Sequence, residues 1–218
     1  LTKSFLMQTV ENRFISVIAI IYVVGILGFI IPSLNPIFIK LTPYNLIGSF
    51  IVAWIFHKKW ELPHIATIIL IGILGFFIEL LGVKTGLIFG NYHYGNTFGA
   101  KWQQVPYLIG LNWAAMIFYT SSFLAPRIKN NILRALAGGA LMTVYDFFLE
   151  PVAMRFDFWD WKNHTVPLQN YAAWFVFATL FHLLLNTTSK PIKNKVASTL
   201  FFIQGGFFII LYVFVRLF

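Results

Sequence analysis

HIATIILIGILGFFIELLGV, residues 64–83, carries one charged side chain, Glu79, in a run of twenty residues. At about 1.5 Å of rise per residue, a helix of that length crosses the roughly 30 Å hydrocarbon core of a bilayer. The run therefore reads as a membrane span, and its acid sits near one end, where hydrocarbon solvates a carboxylate badly. Similar apolar segments lie at 14–32, 43–57, 106–126, 132–150, 168–187 and 197–217. The expected fold is all-α: a polytopic integral membrane protein of about seven transmembrane helices, forming a single domain over 1–218. Segment 43–57 is the weakest of the set. It is short and flanked by Pro36, Pro43 and the His57, Lys58, Lys59 cluster, so a tilted or re-entrant path stays open for it. The first run, Phe14 to Ile31, is too long for the apolar region of a cleavable signal peptide and is read as the first span.

Composition agrees with a bilayer location. Of 218 residues 59% are hydrophobic and 11% charged, with a mean hydropathy of +0.77, and no water-soluble surface can be assembled from that mixture. There is no Cys, which excludes disulfides, thiolate metal sites and cysteine nucleophiles. The net charge of +9 arises from 16 Lys and Arg against 7 Asp and Glu. The basic residues gather in short loops, which is a topology signal and not a nucleic-acid patch.

Ten of them fall at the N-terminus or in the loops after the second, fourth and sixth spans: Lys3, Arg13, Lys58, Lys59, Arg127, Lys129, Arg134, Lys190, Lys193 and Lys195. Six lie on the other side: Lys40, Lys84, Lys101, Arg155, Lys162 and Arg216. The positive-inside rule then puts the N-terminus in the cytoplasm. The two long connections, 84–105 and 151–167, are placed outside. Both are rich in Gly, Trp, Tyr and Asn, the composition of loops that work at a site.

Three of the seven acids, Glu79, Asp146 and Glu150, stand inside or at the ends of apolar spans. Intramembrane carboxylates are functional candidates by default. The third and fifth spans run in the same direction, so all three acids converge on one membrane face. Asp146 and Glu150 are four residues apart and share a helix face, with Thr143 one turn below. Two carboxylates that close in a low dielectric compete for ionisation, which can leave one as a protonated acid and the other as a charged base. The structural alternative makes Glu150, just before Pro151, a helix end in water and pairs Glu79 and Asp146 with Lys84 or backbone.

The fourth and sixth spans start at the same face. They bring Tyr107, Asn112 and Trp113, and Asn170, Tyr171 and Trp174, near the acids; for each aromatic an interface-belt role is the competing reading. His182, Asn186 and Gln204 are read as interhelical hydrogen bonds. The Gly138-Gly139 and Gly205-Gly206 pairs are read as close helix contacts. The five His show no metal-ligand spacing, and no phosphate loop or cofactor motif is visible. No metal or cofactor is therefore expected.

Three blocks resemble a known family. They are Glu79-Leu-Leu-Gly-Val-Lys-Thr-Gly-Leu-Ile-Phe-Gly-Asn-Tyr-His-Tyr-Gly with Val105-Pro106 and Trp113; Asp146-Phe-Phe-Leu-Glu-Pro-Val with Phe158-Trp-Asp-Trp161; and Val166-Pro-Leu-Gln-Asn-Tyr171 before Trp174. In this order, over about residues 75–175, they resemble the membrane carotenoid hydratases, the CruF and bisanhydrobacterioruberin hydratase group. The chain departs from that pattern at Glu150, where Asp is more frequent, at Leu87-Ile88, where Pro is frequent, and at Ala173, where Gly is common.

The resemblance implies cofactor-independent addition of water to the terminal C1,C2 double bond of an acyclic carotenoid end of the lycopene or γ-carotene type, giving a tertiary alcohol. The partners it implies are a carotenoid lipid, water and membrane lipids; the protein is expected in the plasma membrane of a bacterium, and the loop charges put the site on the non-cytoplasmic side. On this reading Asp146 is the general acid and Glu79 and Glu150 position or deprotonate water. Asn112, Asn170, Tyr92 and Tyr94 orient it, and Trp113, Trp174, Tyr171 and Thr143 complete the substrate pocket. Two rivals remain. Asp146-x-x-x-Glu150 is compatible with Mg²⁺ and a diphosphate, as in a membrane prenyltransferase or another isoprenoid enzyme. Seven helices with buried acids also suit a transporter; a retinal photoreceptor is disfavoured because the seventh span holds no Lys for a Schiff base.

Overall fold

A computed structural model describes residues 3–218, with side chains from residue 8 onward; the side chain of Lys3, one of the ten counted cations, lies outside that range. Among the described residues, seven helices are long and apolar enough to cross a membrane. They are α1 (Lys3–Ile30), α2 (Asn35–Ile55), α3 (Leu62–Thr85), α4 (Tyr107–Leu124), α5 (Asn131–Arg155), α6 (Leu168–Thr188) and α7 (Lys195–Leu217).

Helix α4 runs through the middle. Its small residues, Gly110, Ala114, Ala115, Thr120, Ser121 and Ser122, let neighbours approach from several sides, and all of its residues are buried except Tyr107, Leu111, Asn112 and Phe123. Where α3 and α4 cross, a Cβ added to Gly110 would sit 2.6 Å from the Gly72 carbonyl oxygen. Any larger residue there forces the two helices apart. α5 packs along α6 through Gly138 and Gly139, which face His182 and Thr179, as the sequence suggested. Gly205 and Gly206 have open space where a Cβ would go, so that pair is not a close helix contact.

Two helix boundaries differ from the sequence reading in an instructive way. α2 begins at Asn35, and Pro43 lies inside it. The ring removes one backbone donor and leaves the Ile39 carbonyl without its helical N–H, yet the helix continues beyond it to Ile55. The segment is a full-length helix and not a short one. α5 likewise continues through Pro151 to Arg155. Glu150 is therefore inside a helix, more than a turn from its end.

The two long connections fold over the end of the bundle. α3 stops at Gly86, whose φ of 67° suits the left-handed C-cap conformation that glycine adopts without strain. The chain then forms β1 (Tyr92–Tyr94), β2 (Lys101–Trp102) and β3 (Val105–Pro106), and after α5 it forms β4 (Trp159–Trp161). β1 pairs antiparallel with β4, setting Tyr92 opposite Trp161, His93 opposite Asp160, and Tyr94 opposite Trp159. Side chains alternate across a strand. The two Tyr and two Trp therefore share the inner face, while His93 and Asp160 turn away.

Candidate active site

The three carboxylates meet beneath that two-stranded lid. Glu79 is 4% exposed, Glu150 1% and Asp146 0%. Glu79 Oε2 accepts the hydroxyls of Tyr92 (2.5 Å) and Tyr94 (2.7 Å), and its Oε1 accepts the Trp113 indole N–H (3.0 Å). Glu150 Oε2 accepts the indoles of Trp159 (2.9 Å) and Trp161 (2.6 Å). Every aromatic on the inner face of the lid thus donates to an acid on a helix.

Asn170, from the first turn of α6, joins the remaining pair. Its single amide nitrogen donates to Asp146 Oδ2 at 2.6 Å and to Glu150 Oε1 at 3.1 Å. Asp146 Oδ1, fully buried, has no hydrogen-bond partner among the described residues. Counted by donors, Glu79 receives three hydrogen bonds, Glu150 three and Asp146 one. Carboxylate anions in a low dielectric depend on such donors. Asp146 is the acid of the three least equipped to stay ionised.

The lid tyrosines are matched to their role. Burial first, and the charge of Glu79 second, push both phenols well above the ordinary tyrosine range. Tyr92 and Tyr94 therefore stay protonated donors at neutral pH.

A cavity of about 20 Å³ lies between these groups, lined by Glu79, Glu150, Asn112, Asn170, Trp113 and Trp174 together with the lid aromatics. That is room for about one water, with more than the two to four polar partners a buried water needs. Trp113 stacks on Trp174 with centroids 4.4 Å apart, so one wall is a continuous indole face.

Of the residues singled out from the sequence, Glu79, Asp146, Glu150, Asn112, Trp113, Asn170, Tyr92, Tyr94 and Trp174 are brought together. Three are not, and these are corrections. Tyr107 is 59% exposed, stacks on Phe76 with centroids 5.7 Å apart and lines a separate groove. Tyr171 is one residue past Asn170, about 100° further round the helix; it packs on Phe147 at 5.9 Å and lines a separate cavity with Arg155 and Arg216. Thr143 lies one turn from Asp146, and its hydroxyl donates to the Gly139 carbonyl of its own helix at 2.9 Å. The structural alternative for the acids also falls away: Glu150 is not in water, and Glu79 is held by Tyr and Trp instead of Lys84.

Trp159 and Trp161 were missed as site residues. The signal was present, because Tyr-His-Tyr and Trp-Asp-Trp both alternate aromatic and polar with the period of a strand. The interhelical readings hold: His182 bonds Thr120 at 2.7 Å, Arg134 donates to Asn186 at 2.8 Å, and Gln204 donates to the Tyr22 hydroxyl at 2.7 Å.

This geometry can now be set beside known proteins. A family model described as "Carotenoid biosynthesis protein" matches residues 41–217, a stretch that contains every residue of the cluster. The chain belongs to the carotenoid biosynthesis protein family. Within curated proteins it is 28% identical, over 208 residues, to the bisanhydrobacterioruberin hydratase of Haloarcula japonica, covering 85% of this chain and 68% of that protein. No solved structure matches the chain. Membership in this family, with a relative named as a hydratase, supports a hydratase-like, carotenoid-modifying role for a membrane protein of this kind.

Proposed function

We propose that the protein is a carotenoid 1,2-hydratase, adding water without a cofactor to the terminal C1,C2 double bond of an acyclic carotenoid end. The observation that carries this reading is the unequal solvation of three buried carboxylates, two of which, Glu79 and Glu150, line a water-sized space while Asn170 links Asp146 to it. Protonating an alkene carbon requires a proton held on a poorly solvated acid, and Asp146 is that acid. Its proton goes to C2, leaving a tertiary cation at C1 that faces the stacked indoles of Trp113 and Trp174. A water held by Glu79, Asn112 and Asn170 bonds C1 through its oxygen. The surplus water proton passes to Glu150, one helical turn from Asp146, and its return to Asp146 restores the starting state. The product is a tertiary alcohol, and no atom or electron is left over.

The same geometry disfavours a diphosphate site. Three of the four oxygens of Asp146 and Glu150 face the N–H groups of Trp159, Trp161 and Asn170, which present positive charge. The loop charges support a site on the non-cytoplasmic side of a bacterial plasma membrane.

The test is expression in a lycopene-accumulating bacterium, followed by mass analysis of the pigment. A gain of one or two waters is expected. Unchanged pigment, or a prenylated product, would overturn the reading.

A further inference from the structure

We propose that the apolar cleft between α1, α2 and α7 is the slot through which the end of a linear polyene reaches the carboxylates from the lipid. The chemistry of the ligand rests on the hydratase reading; the location of the slot rests on the cavities themselves. The cleft encloses about 110 Å³, walled by Gly25, Phe29, Leu41, Phe207 and Phe208 among others. At roughly 10–15 Å³ for each water-sized position, it takes about ten heavy atoms, or two isoprene units. The remainder of a longer chain stays in the bilayer.

The cleft is linked to the site through shared walls. At its inner end it shares Leu46 and Gln204 with a constriction of about 10 Å³ that is also lined by Asn112 and Tyr119. Asn112 is at the same time a wall of the carboxylate cavity. Three cavities therefore stand in file from the cleft to Glu79 and Glu150, each sharing a wall with the next. At the constriction the Tyr119 hydroxyl, 1% exposed, has no hydrogen-bond partner among the described residues. An unpaired buried hydroxyl is costly, and a ligand oxygen at that point, whether attacking water or product alcohol, would satisfy it. The slot is thus apolar along its length and polar at its tip, like the hydrated end of a polyene.

The constriction is narrower than a branched isoprene tip, so entry needs a wall to move. α2 is the wall least held, because only Ser49 and Ala53 of its residues are buried. A larger groove of about 630 Å³ lies on the other side of α2, against α3 and α4. It meets the constriction only at the apolar Leu111, and its floor is closed where Gly72 and Gly110 bring α3 and α4 together. It reaches none of the carboxylates or their donors, and it fits annular lipid.

The experiment uses Asp146→Asn protein, which keeps bound substrate unconsumed, purified in detergent from a lycopene-accumulating host. Pigment per mole of folded protein is the readout. Adding Leu41→Trp at the cleft mouth, where Leu41 is 48% exposed and a larger ring does not overpack the core, should lower retained pigment by about tenfold or more. Gly25→Leu deeper in the cleft should do the same, while Ile73→Trp in the other groove should not. In otherwise wild-type protein Leu41→Trp should raise KM and spare kcat, since it does not touch the reacting atoms. Loss of pigment with Ile73→Trp but not Leu41→Trp overturns the proposal, as does retention in all three variants or no pigment in the parent. Pigment bound with the cleft pattern, but never gaining water when Asp146 is intact, leaves the slot standing and sinks the hydratase reading.

Discussion

Replacing Asp146 by Asn tests the central assignment, and the structure sets what should and should not change. The amide keeps the side-chain shape, and its oxygen still accepts the Asn170 N–H that Asp146 Oδ2 accepts at 2.6 Å. Its NH₂ falls where Oδ1 now has no partner, so the Asn170 hydrogen bond is kept. A neutral amide is also cheaper than a carboxylate to bury in a membrane. Folded yield and melting temperature should therefore match wild type or rise slightly. Activity should not survive, because an amide cannot deliver a proton to carbon. Removal of a general acid costs roughly 10² to 10⁴ in rate, equivalent to about 3–5 kcal/mol of barrier at 1.36 kcal/mol per factor of ten. The assay is pigment conversion normalised to monodisperse protein in detergent. Near-normal turnover would refute the assignment, and so would inactivity traced to failed folding; Glu79 would then be the acid to examine first.

Trp161→Phe keeps the ring packed on Tyr92 but removes the 2.6 Å indole bond to buried Glu150; it should cost about 1.5–3 kcal/mol of stability, read as a lower melting temperature in detergent. Glu150→Gln, by contrast, should be milder on turnover than Asp146→Asn, and equal or greater loss would reverse the roles given to the pair. Because the phenols of Tyr92 and Tyr94 are held well above the usual range, the unfolded chain releases those protons first as pH rises past about 10. Their stabilising contribution is intact below that pH and lost above it, so alkaline unfolding of Tyr94→Phe should show a weaker pH dependence than wild type. Single cysteines in this Cys-free chain should label from outside intact cells at position 96 and not at 193; the opposite pattern reverses the topology.

Legibility from sequence followed the range of the interactions involved. Seven spans were visible because hydrocarbon thickness sets a length that a single chain segment either meets or does not. Glu79, Asp146 and Glu150 were visible because each is a costly group in an apolar run. Asn170 was visible for the same reason, but its double donation to two acids on another helix was not, since α5–α6 register depends on Gly138 and Gly139 facing His182 and Thr179. The limits of α2 and α5 were misjudged at Pro43 and Pro151. A proline breaks a helix in water more readily than in a bilayer, where neighbouring groups re-satisfy the freed carbonyl. Tyr171 and Thr143 were proposed from nearness in sequence; helix phase in one case and a satisfied hydroxyl in the other removed them.

The lid joins these observations into one physical argument. Three acids packed in a membrane interior cannot all ionise, and without help none would. Pairing β1 with β4 puts four aromatic donors over two of them. Tyr92 and Tyr94 reach Glu79, and Trp159 and Trp161 reach Glu150. Donors of this type solvate an anion without bringing a counter-charge or bulk water, either of which would quench a carbocation or level the acid. Asp146, on the same helix face as Glu150 but beyond the reach of the lid, receives only the shared Asn170. The strands thus give three chemically similar residues unequal numbers of N–H and O–H donors, and on the proposed reading that inequality makes two of them bases and one an acid. That sorting comes from the pairing of residues 92–94 with 159–161, nearly seventy positions apart in the chain.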